Sequence, residues 1–155
     1  MTTPSIVPSQ YAGTDKDYLE APGLRSGGVL NVKGSVSVPT TTAATTVVGL
    51  FPFQKGASFH APTFYAPDLT DNSGTLDFGV VYDDDSGNTN DYDLFASLST
   101  AGRAGGYVTL DEKEWINYVT TANGWVVVRL NTSAADATAD VLFNVGVSYG
   151  DRVIA

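Results

Sequence analysis

A chain of 155 residues has the length of one domain and can bury most of the apolar surface its unfolded form would expose. With 43% hydrophobic and 16% charged residues, it has the composition of a folded protein whose surface rests on Ser, Thr, Asn and Gly rather than on ion pairs. Seventeen acidic side chains against eight Lys and Arg leave a net charge of −9 with no basic run, which sets aside nucleic acid, and the lack of cysteine excludes disulfides, thiolate nucleophiles and sulfur-ligated zinc.

The first 28 residues are polar, carry Pro4, Pro8 and Pro22, close on "GLRSGG" and show neither helical nor strand periodicity. They predict an extended arm, held against its own domain or a neighbouring chain, followed by a β-sandwich domain over 29–155. The N-terminus lacks a basic start followed by an apolar run, and no segment approaches the ~20 apolar residues of a membrane span. The expectation is a soluble protein made without a secretion signal, with no membrane partner.

From Val29 the chain breaks into short β-rich runs divided by Gly, Pro, Asn and Thr, the pattern of an all-β sandwich or barrel. "VLNVKGSVSV" places Val32, Val36 and Val38 on one side. "TTVVGLF", "GASFHAPTFY", "TLDFGVVY", "GYVTL", "GWVVVRL" and "ADVLFNVGVSY" follow, for roughly eight strands. In the last run Val141, Phe143, Val145 and Val147 alternate with Leu142, Asn144, Gly146 and Ser148, a one-sided apolar face. "DYDLFASLS" and "DEKEWINYV" read either as short helices or as strand and loop, and "PTTTAATT" (39–46) reads as a connection.

Chemistry is sparse along this path. His60, the only histidine, has no G-x-S-x-G elbow and no partner imidazole at metal-ligand spacing, and reads as a strand-end side chain, exposed or hydrogen-bonded. "GRAGG" (102–106) lacks the Lys-Ser/Thr of a phosphate loop and reads as a turn. Trp115 and Trp125, with eight tyrosines, admit a sugar-binding platform, although aromatics in strands more often pack in a core or interface.

The stretch "YDDDSGNTNDYD" crowds five carboxylates into eleven residues from Asp83. Against the calcium-loop template Asp85 fits the third place, but Gly87, Asn88 and Leu94 stand at the fifth, sixth and twelfth. The stretch admits an irregular calcium loop, a carboxylate pair for glycoside hydrolysis or a solvated strand connection. Three consecutive aspartates do not supply two carboxyls across a cleft, and the stretch reads as the connection. No catalytic residue, cofactor or metal is assigned, and the chain is read as a non-enzyme.

Three segments in order, "GVLNVKGSVSVP", "VVGLFPFQKGASF" with its Lys55-Gly56-Ala57 turn, and "DLTDNSGTLDFGVVYDD", lead to an Asp-containing "DYDLFA" at Asp91–Ala96 and a closing hairpin, "ANGWVVVRLNTSAADATADVLFNVGVSY". Over Val29–Tyr149 this pattern resembles small virion structural proteins of tailed bacteriophages, of the capsid decoration or cement type. The resemblance implies a jelly-roll-like sandwich, homo-oligomeric as a trimer at a threefold position. It also implies the major capsid protein as partner and a place on the outer surface of the virion capsid after synthesis in the host cytoplasm. The alternative is a tail- or neck-associated structural module that binds a receptor or glycan.

Overall fold

The computed structural model describes residue 6 and residues 29–40, 42–70, 73–83, 87–134 and 139–149. Among the described residues there are eight strands: β1 (Leu30–Val38), β2 (Val47–Phe53), β3 (Ser58–Ala66), β4 (Leu76–Tyr82), β5 (Asp91–Ser99), β6 (Gly106–Tyr107), β7 (Gly124–Leu130) and β8 (Ala139–Ser148). They form two four-stranded antiparallel sheets, one in the order β1-β8-β3-β6 and the other β2-β7-β4-β5. The pairs β1 with β8, β2 with β7, β3 with β6 and β4 with β5 are those of one long antiparallel ribbon folded over so that successive pairs fall in alternate sheets. The sandwich is the one the strand pattern predicts, and its connectivity is the jelly roll that the resemblance implies; the closing hairpin expected over "ANGWVVVRLNTSAADATADVLFNVGVSY" does not form, because β7 and β8 lie in different sheets.

Alternation decides which side chains face inward. In β1, Val32, Val36 and Val38 are buried while Asn31, Lys33, Ser35 and Ser37 stand exposed. Opposite them, Val141, Phe143, Val145 and Val147 of β8 turn into the same core. Between the sheets runs a chain of rings: Phe51 stacks on Phe143 at 5.5 Å, Phe53 meets Phe59 and Tyr82 edge-on, and Phe95 meets Phe59 at 5.3 Å and Phe64 at 5.4 Å. These rings are almost wholly enclosed, so removing any one leaves a cavity worth about 3–5 kcal/mol.

Four details depart from a simple reading of the strand pattern. "DYDLFASLS" is strand β5 and not a helix; it pairs irregularly, with Phe78 opposite Ala96 but Val80 opposite Asp91, so Leu94, Phe95 and Ala96 are buried in succession. "DEKEWINYV" yields only a 3-10 turn at Glu114–Asn117 within the long connection from β6 to β7. β3 bulges between His60 and Thr63, where Ala61 adopts a left-handed φ of 44° before Pro62. Of "GYVTL", only Gly106–Tyr107 pairs as strand. The rest of the expected arm apart from Ile6, Asp84–Ser86 of the acidic stretch and residues 150–155 lie outside the described residues.

Candidate interaction surface

The outward faces of the two sheets are built differently. On the β2-β7-β4-β5 sheet, Val81, Trp125 and Val127 point away from the main core yet are almost fully buried, with Val47 and Tyr92 packed against them. Gly79 of β4 makes part of this closure possible: a Cβ there would lie 2.1 Å from the carbonyl oxygen of Asp91, so only a glycine lets the start of β5 cross so close. A polar lock sits beside the cluster. The buried Asp77 carboxylate accepts from Arg129 at 2.8 Å and from the Leu98 backbone N–H at 2.8 Å, fixing Leu98 at a left-handed φ of 51°. Arg129 in turn lies 4.5 Å over the ring of Tyr92.

The β1-β8-β3-β6 sheet presents an open face. Strand register places Ser35, Leu142, Tyr65 and Tyr107 in one row, Lys33, Asn144 and Thr63 in the next, and Asn31, Gly146 and His60 beyond. Tyr107 is 75% exposed and meets Tyr65 edge-on at 5.3 Å, and Leu142 is 45% exposed. A shallow concavity runs between Tyr65, Tyr107, Leu142 and Asn144. A second begins on the other side of Tyr107 and reaches Leu98, 63% exposed, along Ser97, Thr100 and Thr109 with Asp111 at its rim.

The result is a band of aromatic and aliphatic side chains set among hydroxyls and one amide, wrapping from β8 to the β5 edge. On a chain of net charge −9 it has a single carboxylate, Asp111, in its lining. Exposed aromatics with little charge are the composition of the core of a protein interface rather than of an ordinary wet surface.

The residues that sequence reasoning raised do not converge on one another. His60 stands exposed on the open face, its Nε2 2.7 Å from the Ser148 hydroxyl. Trp125 is enclosed in the closed face, and Trp115 is half-buried against Phe95 at 6.4 Å, so neither ring offers a free platform. Gly102–Gly106 is a turn, with Gly105 at φ 82° and Arg103 donating to the Gly74 carbonyl at 2.8 Å. The surface tyrosine row escaped notice because it exists only through the register of three strands distant in sequence.

The described residues of the acidic stretch on either side of 84–86 are tethered by hydrogen bonds. Asn90 accepts from the Tyr82 backbone N–H at 2.8 Å, Asp83 N–H donates to the Asn123 carbonyl at 3.0 Å, and Thr121 donates to Asn88 at 2.5 Å. Burial, then a hydrogen bond and charge from Asp93 and the charge of Glu114, push the Asp91 carboxyl up to about 6. Nearby, the Tyr82 and Tyr118 hydroxyls are hydrogen-bonded, and burial together with that bond pushes the Tyr118 phenol up. Among the described residues no three carboxylate or imidazole groups stand close enough to hold a metal ion.

No protein-family model and no curated protein matches the chain. Two solved structures share its fold. One, "Capsid of Ralstonia phage GP4", contains a chain 19% identical that superposes with a TM-score of 0.56, covering 80% of this chain and 86% of the other. The second, "Cyanophage Pam1 capsid asymmetric unit", contains a chain 23% identical with a TM-score of 0.53, covering 88% of this chain and 96% of the other. The likeness covers most of each chain and is one of fold.

Proposed function

We propose that this protein is a non-enzymatic structural subunit of a phage virion, a decoration or cement protein that sits on the outer surface of the capsid, binds the major capsid protein and stiffens the shell. The observation that carries the reading is the shared fold with chains of two phage capsids, one of which is nearly the same length as this chain. The weakly charged band of Leu98, Tyr107, Tyr65 and Leu142 supports it, because such a surface gains most when another protein excludes water from it. Net acidity keeps a protein needed in many copies soluble before it docks, and docking on a repeating lattice multiplies modest contacts.

The test uses particles lacking this chain. Adding the purified protein is expected to return density to the shell and raise the temperature at which particles rupture. Binding confined to tail or neck, or rupture at an unchanged temperature, would overturn the cement role. With both tryptophans packed into the domain, a glycan-binding role would have to rest on the tyrosine row alone, and a hit on a glycan array that Tyr107→Ala abolishes would favour it.

A further inference from the structure

One residue of the N-terminal segment has a defined place, and that place is a strand-pairing seat. β2 is the outer strand of its sheet, joined to β7 on one side. On its other side Ile6 bridges Val48 in parallel, and the Gly49 N–H donates to the Ile6 carbonyl at 2.6 Å. The Ile6 side chain is half-buried against the main core, so the contact combines a backbone hydrogen bond with an apolar knob. The sequence keeps the added ladder short: Pro4 and Pro8 bracket Ile6, and Pro52 interrupts β2, each without an N–H to donate.

Residues 7–28, 22 in number, join Ile6 to Val29. Such a tether reaches about 75 Å when extended. Within one chain the path leads from Val48 to the start of β1, a strand alongside β2 that spans only about 30 Å. That reach is more than twice the length of β1, so a neighbouring copy within it offers the same seat to the same plug.

We infer that the β2 edge is a seat shared between copies: when chains are crowded together, Ile6 of one copy docks beside Val48 of the next, and the exchanged arms tie neighbours. Crowding on a shell is the setting the proposed function supplies, and the inference rests on that reading for its purpose; the exchange itself is a property of the chain in solution. At low concentration the arm's own seat wins, because its effective concentration is higher; packing raises the neighbour's share.

The chain has no cysteine, so introduced pairs report cleanly. Differently tagged Ile6→Cys and Val48→Cys chains are mixed at rising concentration and oxidised at a temperature below the melt of either variant, where both are folded. A covalent heterodimer whose fraction climbs with concentration, well above that formed with exposed Ser37→Cys, is the expected result. The double variant, oxidised when dilute, is expected to close within one chain. Closure within one chain without heterodimer at the highest concentration overturns the exchange, and absence of both overturns the seat. Neither result depends on shell docking, so a failure here is distinguishable from a failure of the cement reading.

Discussion

The two outward faces of the sandwich have the same origin, alternate residues of antiparallel strands, and opposite fates. One is sealed: Trp125, Val127 and Val81 are buried, Gly79 admits the β5 backbone, and Asp77 locks Arg129 and the Leu98 bend. The other leaves Tyr107 and Leu142 exposed in a row that two sheet pairings align. Stability thus rests on one face, and the proposed interaction on the other. A substitution on the sealed face should damage folding, and one on the open face should damage only association.

The sharpest break is at Gly79. A methyl group there meets the Asp91 carbonyl and forces the backbone of Asp91–Tyr92 away, so Gly79→Ala is expected to cost about 3 kcal/mol in a denaturant melt. Asp77→Ala should follow closely. It strands a guanidinium and the Leu98 N–H, and because the Arg129 side chain is 32% exposed the loss sits at the lower end for a broken buried pair, about 3 kcal/mol. Asp77→Asn retains an acceptor for Leu98 and is expected to lose less.

On the open face the expectation reverses. Leu142→Asp and Tyr107→Asp should leave unfolding free energy within about 0.5 kcal/mol of the parent chain. Each should nonetheless weaken shell binding about 30-fold, the effect of removing a central interface anchor worth about 2 kcal/mol. A melt that falls sharply would mean the open face supports the fold after all.

The smallest effect concerns pH. Asp91 holds its proton up to about 6 in the folded chain against an ordinary value of 3.8, so the folded state binds the proton more tightly than the unfolded state. Its contribution is fully present below pH ~4 and fades as the pH rises through 6. Melting temperature should therefore show a modest step upward on acidifying from pH 7 to 5, and Asp91→Asn should flatten that step. An unchanged step in the variant would assign it to another group.

Much of this fold was legible where burial follows period two. Val32, Val36 and Val38, and Val141 through Val147, gave β1 and β8 with the correct inward faces. β5 was not, since its irregular pairing buries Leu94, Phe95 and Ala96 together and mimics a helical run. Trp125 is packed, as aromatics in strands more often are, but its face was not legible: "GWVVVRL" is buried on both faces, and a continuous apolar run carries no sign of which residues a solvent-side cluster will claim. The Leu142–Tyr65–Tyr107 row depends on register between strands about 40 and about 80 residues apart, information that no local pattern contains.

In the proposed function, the open face is the part of the protein that meets the shell. The most direct measurement of that contact compares wild-type protein with Tyr107→Asp/Leu142→Asp on particles lacking the chain, after matching the two proteins in melting temperature. Wild type is predicted to bind and raise the rupture temperature while the double variant stays in the supernatant. A double variant that binds and stiffens particles as well as wild type would contradict the account.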